Sequence, residues 1–253
     1  MVGYQLKTQV LMINGSLNST VAWFFLTRKE LYVPHPWCSY VDLGTENTMK
    51  QLQTIWKLKE LGVDMRFRIE HRYDIDEVHN LSHPRNLFFF LLGIVGGSMA
   101  KRIWICFQKE NDFRNGQNDI LFSKISNQLY FLYGKRRLIR NPFLNQDKYE
   151  VIQWFLLTPT IDLTVEERIN ILKHTNDCKQ VLQGECGQCD NCFRKWLGLE
   201  MHGIECSDWF LHDPKEYGDI QKYITYFDKK FHEKDFKRVL TKYNLLEKTL
   251  KRS

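Results

Sequence analysis

Over the first 160 residues, short apolar runs alternate with segments whose apolar positions recur at helical spacing. Gln9-Val10-Leu11-Met12-Ile13 is apolar after its first residue, as expected of a parallel strand covered on both faces. A tight loop of small polar residues follows at 14–18. A helix is expected over 19–30, with Val21, Ala22, Phe24, Phe25 and Leu26 on its apolar face. Further strands are predicted at 37–43, 63–69 and 102–107, with an edge strand at 138–144. Helices are predicted over 47–61, 85–100, 119–133 and 147–157, with a polar loop at 109–118. The 85–100 helix is apolar nearly all round, which places it against the sheet. This alternation predicts an α/β fold built on a doubly wound parallel sheet.

Beyond Thr158 the strand signals stop. Thr164 and Glu167 have capping-box spacing at the start of a helix ending at 174. A helix over 191–202 comes next, and 213–251 reads as helical and rich in Lys, Tyr and Phe. The organisation expected is an α/β domain over 1–160, a cysteine-bearing region over 161–204 and a basic helical tail over 205–253.

Composition narrows the class. A chain of 253 residues that is 43% hydrophobic can bury a sizeable core. The net charge of +6 permits anionic ligands without calling for nucleic acid. No apolar run approaches the roughly 18 residues of a membrane helix, the longest being 87–95. Residues 1–7 lack the apolar segment of a signal peptide. A cytoplasmic protein without a membrane partner is expected. Lys229, Lys230, Lys234, Lys237, Arg238 and Lys242 read first as solvated helix faces, with a surface for nucleic acid or an acidic protein partner as the minority alternative.

Two constellations carry candidate chemistry. Cys178, Cys186, Cys189 and Cys192 have the spacing of ligands to one metal ion, and in a reducing compartment they point to metal rather than disulfides. Four thiolates at ~2.3 Å complete the tetrahedron of zinc and leave no position for water, so the ion would be structural. Cys38, Cys106 and Cys206 lie apart and read as buried apolar thiols. The second constellation is the loop Asn14-Gly15-Ser16-Leu17-Asn18-Ser19-Thr20 between strand and helix. That arrangement aims backbone N–H groups at a phosphate, although many turns that bind nothing share it.

Together these features resemble the 7-cyano-7-deazaguanine synthase family of PP-loop ATP pyrophosphatases. The loop stands where the family has Ser-Gly-Gly-x-Asp-Ser, and the cysteine cluster, followed by Arg194, stands where the family binds zinc. Asp42-Leu43-Gly44, His83-Pro84-Arg85-Asn86, Glu110-Asn111-Asp112-Phe113 and Pro142 with Asp147-Lys148 resemble intermediate landmarks in the same order. The likeness runs from about residue 8 to 203. It implies an adenine nucleotide alpha hydrolase-like fold with a C-terminal zinc-binding helical region, and ATP with Mg²⁺ as cofactors. The implied activity is a carbon–nitrogen ligase of queuosine biosynthesis. ATP activates 7-carboxy-7-deazaguanine as an acyl-adenylate, ammonia gives the amide, and a second activation gives the nitrile. In that scheme residues 14–20 and Asp42 bind the nucleotide. Lys148 neutralises the departing pyrophosphate, and Arg85 and Asp112 face the deazaguanine.

The zinc ligands match the family while the loop departs from it, with Asn14 for Ser, Ser16 for Gly and Asn18 for Asp. Two functions follow. One is an active synthase. The other is a catalytically silent relative, in a virus such as a phage, serving as a zinc-stabilised binding or assembly factor. A related PP-loop reaction such as tRNA thiolation fits less well, because no catalytic pair of free cysteines accompanies the loop.

Overall fold

The computed structural model describes residues 9–28, 36–42, 46–65, 67–72, 102–106, 138–143, 146–178, 184–216 and 233–245. By contacts the chain forms two compact units. One comprises 1–147 and 155–175, the other 148–154 and 176–253. The helices expected over 85–100 and 119–133 and the loop at 109–118 lie outside the described residues.

The first unit is built on a five-stranded parallel sheet: β1 (Gln9–Met12), β2 (Trp37–Asp42), β3 (Phe67–Arg72), β4 (Arg102–Trp104) and β5 (Leu138–Arg140). Their order across the sheet is β3-β2-β1-β4-β5. The chain therefore builds outward from β1 in one direction, then crosses to its other side. Successive residues Val10 and Leu11 are both fully buried. Neighbouring side chains on a strand face opposite ways, so β1 is covered on both faces. At its flank, Trp104 Nε1 donates to Gln9 Oε1 at 2.8 Å.

Helix α1 (Leu17–Thr27) begins two residues earlier than the apolar pattern indicates. Ser16 is the reason: its extended backbone and side-chain oxygen, which accepts the Ser19 N–H, make it the N-cap. Helix α2 (Glu46–Glu60) is tied to the sheet by Tyr40 Oη, which donates to Gln51 Oε1 at 3.0 Å.

The expected strand at 63–69 starts later, at Phe67. Val63 and Met65 are buried as the pattern requires, but Val63 serves the end of α2. Its N–H bonds Leu58 O and that of Gly62 bonds Lys59 O, with Gly62 at φ 85°. That is a Schellman closure, in which the residue after the glycine is apolar because it covers the last helical turn.

Helix α3 (Lys148–Leu157) contributes its first seven residues to the second unit and its end to the first. Helix α4 (Val165–His174) carries the expected capping box. Thr164 Oγ1 accepts the Glu167 N–H at 3.2 Å, and Glu167 Oε2 accepts the Thr164 N–H at 2.8 Å. From α4, Arg168 reaches back to collect five carbonyls: Phe155, Leu156, Thr158, Ile161 and Leu163, at 2.7–3.0 Å. The last carbonyls of α3 have no helical partner of their own, and this buried guanidinium satisfies them.

The second unit holds α5 (Asp190–Met201), two short 3-10 turns at Ser207–Trp209 and Pro214–Glu216, and α6 (Glu233–Lys242). Part of the basic tail therefore belongs to this unit's core. Phe236, Val239 and Leu240 are buried, while α6 turns its lysines outward and packs on α5. Tyr243 Oη donates to the buried Glu200 at 2.8 Å, and Arg238 donates to Met201 O.

Replacing Arg168 with Met removes five hydrogen bonds and strands buried carbonyls. A loss of about 3 kcal/mol is expected, lowering the melting midpoint by roughly 6–12 °C. Thermal unfolding followed by circular dichroism measures it, and an unchanged midpoint would contradict this role.

Candidate metal centre

Four cysteines converge in the second unit although they span residues 178–192. Cys178 lies four residues past the end of α4. Cys186 follows the short bridge between Glu185 and Phe210, Cys189 is the N-cap of α5, and Cys192 lies in its first turn. The Cys189–Cys192, Cys186–Cys192 and Cys178–Cys189 sulfur pairs are 3.4, 3.8 and 4.0 Å apart, and all four sulfurs lie within 4.8 Å of one another. Sulfurs bound tetrahedrally to zinc at ~2.3 Å would be ~3.8 Å apart. The cage thus has the size and donor chemistry for such an ion, and the four cysteines are placed to hold a metal such as zinc.

The local backbone explains the convergence. Gly187 has φ 78°, and a Cβ there would sit 1.8 Å from His212 O. Only glycine allows the turn between Cys186 and Cys189 to lie so close to residues 210–212. The turn is clamped there by Leu211 N–H to Glu185 O and His212 N–H to Cys186 O. Amides also face the sulfurs, with Gln188 N–H to Cys186 Sγ at 3.4 Å and Cys186 N–H to Cys178 Sγ at 3.5 Å. At the start of α5, the helix dipole favours negative charge on Cys189 and Cys192. Between thiols the balance runs the other way. Hydrogen bonds with Cys178, then Cys189, push the Cys192 thiol far above its usual range, with burial adding to the effect. A cation among the sulfurs would reverse that and release the protons.

Behind the sulfurs lies a group of buried charges of which the sequence singled out only Lys148, and that for a different role. Glu185 and Lys195 form one pair; Asp177 and Lys148 form another at 3.0 Å. Burial pushes the Glu185 carboxyl up, and Lys195 opposes that shift. Gly198 leaves the room this needs, since a Cβ there would meet Ile152 Cδ1 at 2.9 Å and Lys148 Cγ at 3.3 Å. Arg194 is also buried and bonds its own helix start, Asp190 and Asn191. Of the outlying thiols Cys38 and Cys206 are buried, and burial raises both above the usual thiol range, whereas Cys106, just past the end of β4, is only half-buried.

In the first unit, residues 14–20 comprise the short loop at the carboxyl end of β1 and the first residues of α1. Asn14 Oδ1 accepts from the Ser16 N–H at 3.2 Å and from Ser19 Oγ at 3.1 Å, while Thr20 Oγ1 donates to Ser16 O at 2.8 Å. Leu17, Asn18, Ser19 and Thr20 are buried. Gly15 is held at φ 74° against α2, where a Cβ would meet Thr54 Cγ2 at 2.8 Å. Asp42 ends β2, its backbone in register with Arg72. Lys148 lies in the second unit with its ammonium on Asp177. Arg85 and Asp112 lie outside the described residues.

No protein-family model matches this chain, and no curated protein does. Among the described residues, no helix is long and apolar enough to cross a membrane.

The purified protein is expected to carry one zinc per chain, lost in Cys189→Ser and weakened in Gly187→Ala. Elemental analysis after exhaustive dialysis measures this. Protein without zinc, or Cys189→Ser with a full complement, would contradict it.

Proposed function

We propose that this chain is a zinc-stapled relative of the 7-cyano-7-deazaguanine synthases that keeps their doubly wound PP-loop fold and serves as a binding or assembly factor rather than a ligase. The strand order supports the fold. In open parallel sheets with this order, ligands bind beyond the carboxyl ends of the strands where the order reverses, and residues 14–20 follow β1 at that reversal. The four-thiol cage supports the zinc, whose coordination four thiolates would complete.

The observation that carries the silent reading is the Asn14 carboxamide. Its oxygen accepts the Ser16 N–H and the Ser19 hydroxyl, so the turn's own side chain takes donors that a phosphate oxygen would need. Admitting a nucleotide means breaking these bonds, at roughly 1 kcal/mol each. Asn18 also supplies no charge to attract Mg²⁺. Gly15 has a sufficient reason to be glycine in its packing on Thr54, independent of any phosphate.

An active synthase is the second reading, favoured by the Ser19 and Thr20 hydroxyls at the start of α1. In it, residues 14–20 and Asp42 hold ATP and Mg²⁺, and Arg85 and Asp112 orient the 7-deazaguanine.

Calorimetry with ATP and Mg²⁺, alongside pyrophosphate release with 7-carboxy-7-deazaguanine, separates the two. The unmodified protein is expected to show neither binding nor release. The triple substitution Asn14→Ser, Ser16→Gly, Asn18→Asp is expected to gain at least about 10-fold in ATP affinity, the equivalent of one or two restored contacts. Tight ATP binding and nitrile formation by the unmodified chain would establish the second reading instead.

A further inference from the structure

The buried charges behind the cysteines are arranged ligand by ligand. Asp177 precedes Cys178, and its carboxylate takes Lys148 Nζ. Glu185 precedes Cys186. Its Oε1 accepts the Asp177 N–H at 2.8 Å and its Oε2 takes Lys195 Nζ at 2.5 Å. Lys195 stands one turn beyond Cys192 on α5. Asn191, between Cys189 and Cys192, donates from Nδ2 to Asp177 O at 2.9 Å. Glu185 thus joins three separate pieces of chain: the segment bearing Cys178, the turn bearing Cys186, and the helix bearing Cys192.

All four charged side chains are at most 6% exposed. Two cations and two carboxylates cancel, yet taking them out of water is costly. Apolar residues of similar size commonly give equal or greater stability. Stability alone is therefore a weak reason for such a frame, whereas a fixed geometry between chain segments is something apolar packing supplies less sharply.

We propose that this frame sets the register of the cysteine cage, making Glu185 and Lys195 positioning residues for the metal. Glu185 holds the loop ends at Asp177 and Cys186 together, and Lys195 anchors that junction to α5. The sulfurs are then brought within bonding reach of one ion before it binds, and the metal spends less of its binding energy bringing its ligands together. The inference rests on the zinc reading of the four cysteines.

Zinc affinity of the full chain, measured by competition with a chromophoric chelator, tests it. The variants are Lys195→Met and the double substitution Glu185→Leu with Lys195→Met, each also melted in saturating zinc. Both are expected to bind zinc about 10–100-fold more weakly, the usual cost of losing groups that orient metal ligands. The double variant is expected to melt cooperatively near the wild-type midpoint in saturating zinc, because it leaves no unpaired buried charge. Lys148→Met, which frees only the Asp177 side, is expected to lose affinity by a smaller factor. A double variant that folds and holds zinc as tightly as wild type would overturn the proposal. So would one that fails to fold even in saturating zinc, which would assign the frame to general stability. Wild-type protein that binds no zinc would instead refute the zinc reading itself.

Discussion

The convergence of four sulfurs is the constraint on which the second unit depends. Thiols at 3.4–4.0 Å from one another would repel strongly once ionised, and a divalent cation turns that repulsion into attraction. The pieces of chain that supply them have little regular structure of their own. Cys178 lies outside any helix or strand, Cys186 and Cys189 flank a turn, and only Cys192 is within a helix. A unit assembled from short pieces has limited core to bury, and a metal held by the four sulfurs would supply what apolar area does not.

The surroundings of the cage serve the same end by different means. Gly187 lets the turn approach residues 210–212, Gly198 lets α3 approach α5, and the ion frame joins the ligand-bearing segments. Helix α6 covers the other end of α5 through Phe236, Val239 and Leu240. In the first unit the corresponding constraint is the parallel sheet, which delivers residues 14–20 to its carboxyl edge. There the polar side chains bond one another. One site thus gathers ligands for an ion, while the other is satisfied from within.

Much of this was legible in the chain because it depends on neighbours in sequence. The cysteine spacing identifies the cage, Thr164 and Glu167 identify a helix start, and the apolar run at β1 identifies a buried strand. Misplaced boundaries have local causes too: Ser16 caps α1 early, and Val63 is apolar for the sake of α2 rather than β3. The ion frame was not legible. Asp177, Glu185 and Lys195 look like ordinary surface charges in the sequence, and the family likeness points Lys148 at a pyrophosphate, whereas folding pairs it with Asp177, 29 positions away. The tail was half legible. Its apolar residues recur at helical spacing, but the lysines between them mask a face that is buried.

X-ray absorption at the zinc edge of the purified full chain tests the central claim most directly, because it reads the ion's neighbours. Four sulfurs at ~2.3 Å with no nitrogen or oxygen neighbour is the expected result. A zinc bound by imidazole, carboxylate or water oxygen, or a protein with no zinc edge at all, would contradict it.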